Sequence, residues 1–263
     1  MCRVNPKKIR QPKSFPECWI LNPTPDEIRP YRILIKKVSS SSSNDGITTT
    51  PKPIDFIISA IKSNDHSFYN KSSDPNFLCC SSINNQKISN DYFVIRLYTS
   101  IYYKCLNEYL RTHKILNKFH GYTGFTESEL NSWICCLHLA LKRNKNVKEN
   151  QIVYRAVEKK LPPEIRIGSK FYFKEFVSTS IKKDFSLEWL KGKGNKGTIF
   201  IIKIKNNGTN GHQNYCFYIE NITYTKKQYE VLISSHCYFI LTKRDYGKDI
   251  EYVHLLCEGY LLD

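Results

Sequence analysis

Long hydrophobic runs are missing from this chain. No window stays apolar for the roughly 20 residues that a membrane-spanning helix needs. The N-terminal MCRVNPKKIRQPK lacks the apolar segment of a secretory leader, so a cytoplasmic site of action is expected. GxxxxGK[ST] is absent, and so are HExxH and GxSxG, which excludes the P-loop, zinc-hydrolase and serine-hydrolase signatures. Ten cysteines are present, but none is spaced as CxxC or with histidines for zinc, and two pairs are adjacent in sequence. Free thiols in a reducing compartment fit this pattern, no metal is expected, and the sequons at Asn70, Asn207 and Asn221 then carry no meaning.

Acidic residues are also scarce: 24 Asp+Glu against 40 Lys+Arg leave a net charge of +16. Such an excess suits an acidic partner, whether nucleic acid, an anionic surface, an acidic protein or a phosphorylated ligand. It equally suits a solvated basic surface, because the lysines are scattered. With 41% hydrophobic and 13% aromatic residues, the chain has enough material for a real core.

Residues 1–53 form a basic, Pro- and Ser-rich N-terminal segment that ends in the linker-like SSSSSNDGITTTPKP. Residues 54–90 are a lead-in with one short apolar run and no clear period. From 91 onward the pattern sharpens. Tyr98, Ile101, Tyr102, Cys105, Tyr109 and Leu110 recur at helical spacing, with Thr99 or Ser100 available as a cap. Thr126 and Glu129 make a capping box before a second helix with the apolar face Leu130, Trp133, Ile134, Leu137 and Leu141. His138 on that helix reads as a core or rim residue.

After 150 the period becomes two. Strands are expected at 151–157, 169–180, 197–204, 214–219, 230–241 and 249–257, with a short helix at 184–191 closed by Gly192. Helices first and strands afterwards argue for an α+β fold.

Three polar features stand at the ends of these strands. Arg155 lies inside the apolar IVYRAV, where a guanidinium must snorkel out, meet an anion, or pair with an acid at a sheet edge. Ser178, Thr179 and Ser180 end the next strand, as ligand-facing hydroxyls or as an ordinary strand-to-helix cap. Gln228 and Glu230 then run straight into Val231-Leu232-Ile233. In extended chain their i, i+2 spacing lets both line one cleft, although a solvated loop has the same composition.

Taken in order, VYR (153–155), FVSTS (176–180) and QYEVLI (228–233) resemble the Arg / Ser-Thr-Ser / Glu signature of mono-ADP-ribosyltransferases. This branch includes the Rho-modifying bacterial exoenzymes and the eukaryotic arginine-directed enzymes. YTSIYYKCLNEYLR (98–111) is similar to the family's YT…N..LR region. The resemblance implies a catalytic domain over 91–263, with a helical part packed on two small, mainly antiparallel sheets that form an NAD-binding cleft.

It further implies cleavage of the nicotinamide–ribose bond of NAD and transfer of ADP-ribose to a macromolecule. Glu230 would stabilise the ribose cation, Ser178 would orient it, and Arg155 would meet the phosphates. Thr179 and Ser180 would support the cleft. The main chain of Ala156, where the family often has Gly, would hold the carboxamide. Phe185 is the candidate to cover the nicotinamide ring, with Tyr154 and Trp189 as competitors.

Gln228 stands where arginine-directed relatives carry Glu. An amide there implies a side-chain amide acceptor, on a small GTPase or another protein, with Tyr224 helping to grip it. Transfer to arginine or to a guanine base of nucleic acid, NAD glycohydrolysis, and a non-enzymatic nucleotide-binding module are the alternatives.

Overall fold

The structure, a computed structural model, describes residues 19–21, 91, 94–99, 102–116, 118–119, 122–123, 125–144, 147–205, 216–220, 222–223 and 228–260. Tyr224 and most of the N-terminal segment and lead-in lie outside the described residues.

Two helices precede most of the strands. The periodic run from Tyr98 to Leu110 is not one helix: residues 94–98 are helical, and α1 (Tyr103–Thr112) starts afresh without a side-chain cap. The break lies at Thr99, whose N–H and hydroxyl both return to Arg96 O, at 3.1 and 2.8 Å, and so end the first turn. After the short strands β2 (Lys118–Phe119) and β3 (Tyr122–Thr123) comes α2 (Glu127–Arg143). Its capping box is formed as expected: Thr126 accepts from Glu129 N–H while the Glu129 carboxylate reaches back to Thr126 N–H. Leu130, Trp133, Ile134, Leu137 and Leu141 are buried.

The strands are β1 (Trp19–Leu21), β4 (Ile152–Val157), β5 (Lys170–Phe173), β6 (Val177–Ser180), β7 (Gly197–Ile204), β8 (Cys216–Tyr218), β9 (Glu230–Ile233), β10 (Cys237–Asp245) and β11 (Ile250–Tyr260). Two expected strands are each split. Residues 169–180 become β5 and β6, interrupted at Lys174-Glu175-Phe176, and 230–241 become β9 and β10, interrupted at Ser234-Ser235-His236, where His236 has φ 64°.

These interruptions are crossings. The order β1-β5-β10-β11-β7-β4-β6-β9-β8 puts β5 and β10 in one half of the sheet, and β6 and β9 in the other. All pairings are antiparallel except that of β7 with β11. The two sheets expected are thus halves of one nine-stranded sheet, and β4 joins β6 through the single pair Tyr154 with Ser180. Phe171, Phe173, Phe200 and Phe239 pack with Trp133 and Leu137 in a common core.

The helix α3 (Lys183–Lys191) follows β6. Gly192 is right-handed (φ −65°), so it does not supply the left-handed closure expected of it; Gly194 (φ 86°) does. At Gly197 (φ 148°) a Cβ would stand 2.1 Å from Val157 O, so the close approach of β7 to β4 requires glycine.

On the neighbouring strands β10 and β11, Arg244 and Glu251 form a buried ion pair with side chains 6% and 1% exposed. Arg244 Nη1 donates to Pro162 O and Ile165 O, both at 2.9 Å, and Glu251 Oε2 accepts from Leu161 N at 2.9 Å. This pair fastens the loop between β4 and β5.

Candidate active site

A cavity of about 390 Å³ opens between α1, β4, β6, α3 and the turn that enters β9. Arg155, Ala156, Ser178, Thr179, Ser180, Phe185, Gln228 and Glu230 all line it, so strand-end residues far apart in sequence converge on one space.

Glu230 is 5% exposed, and Ser178 Oγ donates to its Oε1 at 2.5 Å. Burial pushes its carboxyl up to about 7, reinforced by the Glu220 charge and opposed by the Ser178 hydrogen bond and the Arg155 cation.

The other two hydroxyls bond main chain. Thr179 Oγ1 donates to Val231 O at 2.7 Å, and Ser180 Oγ donates to Gln228 O at 2.7 Å. Ile181 N adds a bond to Tyr229 O at 3.0 Å. Together they stitch β6 to the turn that carries Gln228. That turn is not extended as expected, because Tyr229 is left-handed (φ 49°). Gln228 and Glu230 still both reach the cavity, by a kinked route rather than by strand alternation. Lys182 Nζ lies 3.4 Å above the Tyr229 ring and covers the kink.

Arg155 has found an acid. Its Nη2 donates to Glu175 Oε1 at 2.5 Å, and its Nη1 donates to Ser178 O at 3.2 Å. Of the aromatic candidates, Phe185, Tyr154 and Trp189 all line the cavity, and Trp189 is 41% exposed. His138 is the core residue expected: it is 1% exposed, its Nδ1 is 2.7 Å from Ser234 Oγ, and burial lowers it to about 3.

Sequence reasoning missed Glu175 and Glu220, and gave no role to Arg111, which closes the YT…N..LR region. The signal for Glu175 was available, since it is the only acid in GSKFYFKEFVSTS. Glu220 gave none, because its place beside Glu230 depends on the pairing of β8 with β9.

A buried carboxylate, raised by burial, braced by a hydroxyl and near an arginine in an open cleft, has the features of an active-site candidate. The family model of ADP-ribosyltransferase exoenzymes matches residues 80–258, more than half of the 263-residue chain. The chain belongs to that family: it is an NAD-dependent ADP-ribosyltransferase, and NAD is its substrate.

No curated protein matches it. Among solved structures, exoenzyme S from Pseudomonas aeruginosa, in complex with human 14-3-3 protein beta and bound to carba-NAD, is similar at 13% identity and a TM-score of 0.49. That match covers 64% of this chain and 73% of the other. The Vis toxin of Vibrio splendidus is similar at 18% identity and a TM-score of 0.48, covering 90% and 87%. The C3 exoenzyme of Clostridium limosum is similar at 15% identity and 0.47, covering 64% and 84%. Family membership stands on the family match alone.

Proposed function

We propose that this chain transfers ADP-ribose from NAD to a side-chain amide, Asn or Gln, of a protein acceptor. The observation that carries this reading is Gln228, a neutral amide that lines the cleft two residues before Glu230. An arginine acceptor keeps its proton in water and needs a carboxylate to orient and deprotonate it, whereas an amide pairs with another amide as donor and acceptor at once.

In this reading the C–N bond between nicotinamide and ribose breaks, and its electron pair leaves with nicotinamide. The acceptor nitrogen then bonds to the ribose carbon and releases a proton. Ionised Glu230 stands beside the developing oxocarbenium charge, as a carboxylate does in glycoside cleavage. Ser178 orients it, and Arg155 meets the phosphates with its planar fork. Thr179 and Ser180 hold the turn, the Ala156 main chain takes the carboxamide, and Phe185 covers the ring. Tyr224, outside the described residues, is assigned to the acceptor. A cytoplasmic site of action completes the proposal; the buried cysteines Cys105, Cys135, Cys136, Cys216, Cys237 and Cys257, which form no disulfide with one another, support it.

Arginine is the second reading, favoured by Glu220. Its Oε2 lies 3.4 Å from Glu230 N and accepts from it, which sets a second acid beside the Gln228 turn.

Labelled NAD incubated with a eukaryotic lysate, then protease or nuclease digestion, tests the proposal. Label in protein, stable to hydroxylamine and lost with Glu230→Ala, is expected. Label in nucleic acid, or nicotinamide release without label, would replace the proposal with the guanine or glycohydrolase alternative.

A further inference from the structure

The cleft contains a second buried carboxylate. Glu175 sits in the break between β5 and β6, is 3% exposed and lines the cavity. Each of its oxygens takes a different arginine. Oε1 accepts from Arg155 Nη2 at 2.5 Å, and Oε2 accepts from Arg111 Nη1 at 2.7 Å. Arg111 belongs to the last turn of α1 and is itself held by Glu108 at 2.9 Å, while Arg155 belongs to β4. One carboxylate thus ties helix to strand at the wall of the cleft.

Arg155 depends on it. Besides Glu175, its guanidinium has the 3.2 Å bond to Ser178 O and the Phe173 ring, 5.6 Å from Cζ. Its Nε is buried and finds no partner among the described residues. Without Glu175 the fork keeps one long hydrogen bond and a ring face, too little to hold a rotamer-rich side chain in one orientation. Ser178, whose carbonyl Arg155 grips, donates its hydroxyl to Glu230. A continuous line of contacts therefore runs from Glu175 through Arg155 and Ser178 to the reacting end.

We infer that Glu175 is a positioning residue for NAD, fixing Arg155 so that its guanidinium is preorganised for the phosphates while its charge stays beside Glu230. The inference rests on the reading of Arg155 as the phosphate contact. The rival role for Glu175, an acid that blocks the arginines until NAD displaces it, has the opposite sign: removing its charge would tighten binding.

The test uses the full chain and Glu175→Gln, with NAD binding followed by calorimetry and nicotinamide release followed against pH. Glutamine keeps the shape but offers only one oxygen, so it cannot serve two guanidinia. The Kd for NAD is expected to weaken about tenfold, the scale of one lost charge-assisted hydrogen bond. The acid limb of kcat/KM is expected to move to higher pH, because a loosened Arg155 no longer lowers the Glu230 carboxyl as effectively. Glu175→Asp, which keeps both oxygens, should recover part of each effect.

Unchanged or tighter binding, with the limb in place, overturns the inference. If the glutamine variant does not fold, the aspartate variant decides alone: weakened binding supports it, and wild-type binding overturns it. No acceptor enters these measurements, so their outcome is separate from that of the amide-acceptor reading. Failure of the wild-type chain to bind NAD would end both.

Discussion

Ser178 and Glu230 meet across two adjacent strands. β6 and β9 pair with Ser180 opposite Glu230 and Ser178 opposite Leu232, so the hydroxyl approaches the carboxylate diagonally and closes a 2.5 Å hydrogen bond. Two separated sequence motifs thereby become one chemical unit, and its protonation is the most accessible property to test.

Because burial raises the Glu230 carboxyl to about 7, the ionised form needed beside a ribose cation accumulates only as pH rises through that value. The kcat/KM for nicotinamide release should therefore climb from pH 6 to pH 8. Ser178→Ala removes a hydrogen bond that lowers this value, so the limb should shift to higher pH. Glu220→Gln removes a like charge that raises it, so the limb should shift to lower pH. Initial rates over this range check both signs, and a common direction for the two variants would refute the assignment.

Gln228→Glu tests the acceptor. Nicotinamide release should stay within about tenfold of wild type, because Glu230, the carboxylate proposed to meet the ribose, is retained. The labelled residue should change from an amide to arginine, as identified by peptide mass spectrometry. Unchanged acceptor chemistry would refute the reading of the amide.

Acid stability follows from two buried histidines. His138 and His236 are both lowered to about 3, chiefly by burial, so the fold requires their neutral forms. Each contributes stability that is full above the unfolded value near 6.5 and is lost as pH falls through that point towards 3. Glu230 acts oppositely: its raised carboxyl adds stability as pH falls from about 7 towards its unfolded value. With two histidines against one glutamate, the urea midpoint should drop between pH 7 and pH 5. His138→Asn should flatten this dependence, and an unchanged slope would remove the histidine explanation.

Arg244→Ala should lower unfolding stability by about 3–5 kcal/mol, because it strands the 1%-exposed carboxylate of Glu251. Loss of the β4–β5 loop contacts at Pro162 O and Ile165 O adds to this cost. Urea denaturation measures it. Arg244→Met/Glu251→Leu should recover much of the loss, since it removes both charges together.

The amino-acid sequence by itself determined the α+β class, the capped α2, most strand positions and the set Arg155, Ser178, Thr179, Ser180, Gln228 and Glu230 as one site. The class, the helix and the strands were legible because capping chemistry and period-two patterning are local properties, whereas the site set rested on the resemblance of three ordered, distant motifs to a known family. Tertiary structure alone decided that residues 169–180 and 230–241 each break in two, because a strand-like pattern does not say which sheet neighbour each half will have. It also decided that the Gln228 turn is kinked at Tyr229, that Glu175 lines the cleft and that Glu220 stands beside Glu230. Those acids are fixed by hydrogen bonds across 20 residues to Arg155, 64 to Arg111 and 10 to Glu230, and such bonds depend on the packed path of the chain rather than on any local pattern.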